Sequence, residues 1–258
     1  MIGFEVNPYD PCVANRMIGG TQHTICWHVD DLKSSHIDSK VNDKFLVWLT
    51  ELYGKVAPVK ATRGPRHDYL AIFLEYKNKG TVVADMAYYI KKMVEEFPDK
   101  LRNGVMCPWT ERLFKVDEKS AKLSEEKAKT FYTFIMKGMF VCKRAWPDIQ
   151  PAIAFLSTRV RAPTLQDWGK LIKLMSFLKE TEKDVLTLEL GDMQQIEWYV
   201  DAAFAVHPDM KGHTGAMSTL GKGAFSALST KQKANSRSST EAELMGLDDV
   251  ISKILWQK

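Results

Sequence analysis

Long apolar runs, a leader-like start and paired cysteines are all missing from this 258-residue sequence. No apolar stretch approaches the roughly 18 residues that crossing a bilayer requires. The opening MIGFEVNPYD carries neither a charged n-region nor an apolar h-region. The expectation is therefore an intracellular protein, cytoplasmic or nuclear, with no membrane partner. Cys12, Cys26, Cys107 and Cys142 are widely spaced, with no C-x-x-C pair and no histidine pair at zinc-finger spacing. That excludes the common structural zinc patterns and a dense disulfide framework, and leaves buried free thiols as the expectation. Internal repeats and low-complexity tracts are missing as well.

What is present is globular in character. Hydrophobic residues make up 45% and charged residues 26% of the chain, enough to build one or two sizeable cores. The formal net charge of +4 suits a nucleic-acid partner without requiring one.

The patterning predicts an α+β chain. Asn7 to Leu32 reads as a β-hairpin turning at Gly19-Gly20, its second strand ending in Asp30-Asp31. Apolar residues from Ser39 to Tyr53 fall at helical spacing, with Gly54 as a C-cap. Asp68 to Tyr76 reads as one strand, Asn78-Lys79-Gly80 as its turn, and Thr81 to Ala84 as the returning strand. Asp85 then caps a helix ended by Pro98. Gly104 to Asp117 has no clear period and reads as a linker. Three amphipathic helices follow, Ser124 to Ala145, Pro147 to Val160 and Thr164 to Glu180, with no ionisable residue on their apolar faces. Beyond Val185 the spacing predicts adjacent antiparallel strands over Leu186–Leu190 and Ile196–Asp201. Ser238-Ser239-Thr240-Glu241 then opens a final helix with a capping-box pattern.

Two acidic patterns can carry chemistry. Asp30-Asp31 ends an apolar strand at a turn, and phosphoryl transfer uses carboxylates in this way to hold two divalent ions about 4 Å apart. An Asp-Asp pair in a turn is, however, more often a solvated turn former. Asp201 ends a second strand, and Glu243 lies near the start of the last helix. Ribonuclease H chemistry also needs metal-holding carboxylates, four in all. Glu241 competes for the helical role; as the N3 partner of a Ser238 N-cap it would be structural, which leaves Glu243 free to project. Lys231, Lys233 and Arg237 form a basic cluster that would contact backbone phosphates or else be a solvated loop. Lys33, beside the Asp-Asp turn, is similar. The histidines form no metal site: His23 and His28 point to opposite faces of one strand, and His207 and His213 flank a loop without a cysteine partner.

The segment from Cys26 to Leu32, CWHVDDL, resembles the Tyr-Val-Asp-Asp box of copia-type reverse transcriptases. His67-Asp68-Tyr69-Leu70-Ala71-Ile72 looks like the primer-grip strand of that family, and Arg144-Ala145-Trp146-Pro147-Asp148-Ile149 resembles its Arg-x-Arg-Pro-Asp-Ile segment. Tyr199 to Ala205, Gly212 to Gly215, Ser229 to Lys233 and Ser238 to Leu244 resemble, in order, its ribonuclease H signature. The resemblance implies a partial reverse-transcriptase palm and thumb over 1–115, a helical connection over 116–184, and the first half of a ribonuclease H-like domain over 185–258. It implies Asp30, Asp31, Asp201 and Glu243 as catalytic ligands of Mg2+ or Mn2+. RNA template, DNA primer and RNA–DNA hybrid become the implied partners, met by His28, Lys33 and Tyr69 and by the basic cluster. His28 replaces the family's usual tyrosine, Ala71 stands where glycine is usual, and Ala203 replaces a second aspartate carried by many relatives. The palm's first aspartate would lie before Met1, and two nuclease acids beyond Lys258. The expectation is a polymerase fragment inactive by itself; the alternative is a non-catalytic remnant that binds nucleic acid.

Overall fold

The computed structural model describes residues 3–77, 80–191 and 195–257. Asn78 and Lys79 of the expected turn lie outside them; Gly80 is described, at φ +83°. The chain is mixed helix and sheet. It divides after Leu70 into two compact units, a different division from the three segments expected from sequence.

In the first unit, β1 (Glu5–Val6), β2 (Val13–Ile18), β3 (Thr21–His28) and β4 (Asp31–Ser35) form an antiparallel sheet in that order. Gly19 and Gly20, both at positive φ, make the tight turn between β2 and β3 that glycine allows without Cβ strain. Helix α1 (Ser39–Tyr53) keeps the bounds its apolar spacing predicts. Its N-cap is Asp38, whose carboxylate accepts from the Lys40 N–H. The apolar stripe of α1 closes a small core of Phe4, Ala14, Ile25 and Phe45, with Trp27, Trp48 and Leu49 packed against it. Strand β5 (Arg66–Tyr69) ends the unit.

The expected single strand over 68–76 is broken. Leu70 and Ala71 both adopt left-handed backbone, at φ 53° and 61°, so β5 stops and β6 (Ile72–Tyr76) begins afresh. In the second unit β6 pairs with β7 (Thr81–Asp85). Helix α2 (Ala87–Glu95) follows, with the Asp85 carboxylate accepting from the Ala87 N–H.

Helices α3 (Glu125–Cys142), α4 (Gln150–Ser157, after a 3-10 turn at Pro147–Ile149) and α5 (Leu165–Glu180) pack with α2 around one continuous core. Phe131, Ile135, Ile149, Leu156, Leu171 and Leu178 are fully buried there. The segment read as a linker belongs to this core, for Leu113 is buried and Trp109 and Phe114 pack against it. Nor are the apolar helix faces free of ionisable groups. Asp167 is completely buried and accepts from the Thr164 N–H, the Thr164 hydroxyl and Arg159. It is tolerated because the capping box and the guanidinium satisfy its oxygens.

Strand β8 (Leu186–Leu190) corrects a second expectation. It pairs with β7, from Thr81↔Glu189 to Ala84↔Leu186, and not with the strand that follows it. That next strand, β9 (Glu197–Ala203), instead pairs with β10 (His213–Thr219), which pairs with β12 (Ser226–Lys231). The short β11 (Gly221–Lys222) edges β8. Helix α6 (Ser239–Gln257) lies on the three-stranded sheet, and Gly246 lets it approach: a Cβ there would meet Ala202 at 3.3 Å, Val200 at 3.6 Å and Thr214 at 3.7 Å.

All four cysteines are free, but only Cys142 is buried; Cys12 and Cys107 are exposed. Among the described residues no helix is long and apolar enough to cross a membrane.

Candidate functional site

Alternation along β3 sorts its side chains into two sets. His23 and Ile25 are buried, with Trp27 packed against the same core, whereas Gln22, Thr24, Cys26 and His28 take the opposite, open face. The pairings Cys26↔Lys33 and His28↔Asp31 carry Lys33 and Asp31 of β4 onto that open face. Tyr69 joins them, its hydroxyl donating to Cys26 Sγ at 3.8 Å. Burial, and then the bond to Cys26, pushes the Tyr69 phenol up to about 12, with Asp31 among the lesser causes. Tyr69 therefore stays a neutral donor at any physiological pH.

Four of the residues expected from sequence, His28, Asp31, Lys33 and Tyr69, thus share one surface. Its floor is polar. Asn15 Oδ1 accepts from Gln22 at 3.0 Å and from the Thr24 hydroxyl at 2.7 Å, and Lys33 donates to the Ser35 hydroxyl at 2.9 Å. Sequence reasoning missed Asn15, Gln22 and Thr24. Their period-two polarity was the available signal.

β3 ends at His28, one turn earlier than Asp30-Asp31. Val29 and Asp30 form the connection, with Val29 at φ 55°. Asp30 and Asp31 are exposed. Carboxylate oxygens are the donors Mg2+ takes, but that ion demands near-octahedral coordination. Among the described residues no three His, Cys, Asp or Glu side chains are grouped to hold a metal. The donor type fits, and the number of donors falls short of such a shell.

The second acidic pair is more divided. Val200 and Ala202 face Gly246 of α6, so alternation turns Asp201 to the other side of the sheet, where it is exposed. Glu243 is exposed on α6 itself, and among the described residues neither belongs to a group of three metal-holding side chains. Glu241 takes its structural role: its N–H donates to Ser238 Oγ at 3.2 Å, and its carboxylate accepts from the Arg237 N–H at 2.6 Å.

In the basic cluster, Lys231 is paired with Asp209 at 2.7 Å. The intervening Gln232 is buried and ties Thr214 to the Ala242 carbonyl, whereas Lys233 and Arg237 are exposed. His207 and His213, expected only to flank a loop, are buried and bonded to each other at 3.0 Å, with His213 also bonded to Ser229 at 2.6 Å.

No protein-family model matches this chain, and no solved structure does. Over 178 residues, 66% of the chain, it is 30% identical to the retrovirus-related Pol polyprotein from transposon TNT 1-94 of Nicotiana tabacum. Over 111 residues, 43% of the chain, it is 32% identical to the polyproteins from transposons RE2 and RE1 of Arabidopsis thaliana. The chain spans 13% of the length of the first and 8% of each of the others. Its homologues, at modest identity and over part of the chain, are retrotransposon Pol polyproteins.

Proposed function

We infer that this chain is a fragment of an RNA-directed DNA polymerase with ribonuclease H from a copia-type retrotransposon, and that by itself it binds nucleic acid without turnover. The observation that carries the reading is the shared open face of His28, Asp31, Lys33 and Tyr69, with Asp30 at its rim. A lysine and a histidine there suit phosphate oxygens, and the Tyr69 ring and hydroxyl suit a sugar or base. Asp30 and Asp31 supply the carboxylate pair that two-metal phosphoryl transfer uses. With Asp201 on the sheet face away from α6, the nuclease half of the reading rests on its sequence motifs alone.

The absence of turnover rests on donor number, since among the described residues neither acidic pair gains a third ligand. A half-built metal centre positions its phosphate poorly, and misplacement by about 1 Å costs about a hundredfold in rate.

Binding to a labelled RNA–DNA hybrid tests the reading. Affinity should fall steeply with salt, and Lys33→Gln should lower the salt slope by about one phosphate contact. No binding at low salt would overturn it. Robust primer extension with Mg2+, abolished by Asp30→Asn, would replace the binding remnant with a working polymerase. Hybrid cleavage abolished by Asp201→Asn would do the same for the nuclease.

A further inference from the structure

The Arg144 to Ile149 motif is not used by the open face of the first sheet. It lies in the second unit, beside a cavity of about 260 Å3. Three cations from two elements line this cavity: Lys143 and Arg144 from the end of α3, and Lys253 from α6. Residues 224–227 at the entry to β12, with Cys142, Pro147 and Leu186, complete its wall, and no carboxylate is among the lining residues.

The end of a helix attracts cations, which accounts for Lys143 as the cap of α3. Arg144 is held by stacking on the Phe140 ring at 3.6 Å and by donating to the Phe140 carbonyl at 3.2 Å. One guanidinium N–H is spent there, and the planar fork keeps the rest. Neither account reaches Lys253. It comes from a different helix, it is half-buried, and it sits close enough to Lys143 that burial and then that like charge lower its affinity for a proton. Among the described residues neither lysine has an ion-pair partner. Gathering two ammonium groups and a guanidinium around a hollow costs Coulomb energy unless an anion occupies it.

We propose that this cavity is a phosphate-binding site in which Lys143, Arg144 and Lys253 surround the oxyanion and Ser226 offers a hydroxyl. Arg144 meets two oxygens with its fork, and the lysines supply charge. The volume holds a phosphate with part of an attached sugar. The same chemistry serves a backbone phosphate of a nucleic-acid strand or a free phosphate. The site stands on its own geometry and does not depend on the open face of the first sheet.

The test uses the full chain and a Lys143→Gln, Lys253→Gln double variant. A charge-matched control carries Lys91→Gln and Lys129→Gln, both exposed and outside the cavity. Inorganic phosphate, followed by thermal shift and 31P line broadening, should bind the wild type and the control, and bind the double variant about tenfold more weakly. With a labelled RNA–DNA hybrid, the double variant should lose about two contacts of salt slope if the source is a strand. Phosphate binding lost with hybrid binding unchanged upholds the site and assigns it to free phosphate. Equal losses in double variant and control, or no loss of either ligand, overturn the site. A wild type that binds phosphate but no hybrid keeps the cavity and removes the nucleic-acid reading of the chain.

Discussion

His23 is fully buried in the first unit, and its hydrogen bonds determine its proton. Arg16 Nε donates to Nδ1 at 3.1 Å, so Nε2 carries the hydrogen and donates to Ser34 Oγ at 2.8 Å, whose hydroxyl donates to Asn42 at 2.7 Å. Every donor in this row has an acceptor, and a second proton on the ring would face a guanidinium. Val29 is the opposite case, a β-branched side chain held at φ 55° and almost fully exposed. Left-handed backbone costs an L-residue about 1–2 kcal/mol, and asparagine tolerates it better. Val29→Asn should therefore raise stability by about 1 kcal/mol in urea unfolding; a loss would show that the Val29 side chain has packing value. Ala71 also sits at positive φ, a conformation that only glycine adopts without Cβ strain. Asp167 carries a second prediction. Its removal strands Arg159 and the Thr164 N–H, so Asp167→Ala should cost about 3 kcal/mol, and a cost under half that would mean the ion pair contributes little.

At the scale of elements, Gly246, buried on α6 with Ala242 and Val250, is where the helix backbone comes close to its sheet. An alanine at 246 would gain about 1 kcal/mol of helix propensity against a 3.3 Å approach to Ala202, leaving Gly246→Ala close to neutral. Gly246→Leu has no room; it should cost about 2 kcal/mol or more and weaken amide-exchange protection along β9. Protection unchanged in that variant would mean that the helix shifts to accept it. Strand β8 shows what pattern alone misses. Its Leu186, Leu188 and Leu190 spacing announces a strand, but the pairing with β7 joins residues about a hundred positions apart that no local pattern connects.

Across the whole molecule, three buried histidines, His23, His207 and His213, make stability depend on acid. Histidine ordinarily titrates near 6.5, and burial, aided by neighbouring positive or potentially positive groups, pulls His23 and His213 down to about 4. The unfolded chain takes up a proton near 6.5, but the folded one does not until near 4. Their contribution is therefore complete above the unfolded value and lost as pH falls from about 6.5 towards 4. The urea midpoint should drop between pH 7.5 and about 5, and His23→Gln with His213→Gln should flatten the decline; an unchanged slope would assign the acid sensitivity to other groups. His23 lies in the first unit and His213 in the second, so each unit carries its own acid-sensitive group. Much of this architecture was legible beforehand: the hairpin through Gly19-Gly20, the bounds of α1, the Thr164 cap and the structural role of Glu241 all depend on neighbours a few residues apart. The sequence also placed Lys33 beside the Asp30-Asp31 turn, whereas the approach of Tyr69 to Cys26 needed the folded chain. The sequence by itself determined these local elements and the acidic and basic residues available for chemistry, because turn, cap and period are short-range physics. Only tertiary structure decided that β8 pairs with β7, that Asp201 turns away from α6, that Asp167 is buried, and that Lys253 meets Lys143 and Arg144 around a cavity. Those outcomes depend on which distant surfaces exclude water from one another, and spacing along a chain does not encode that directly.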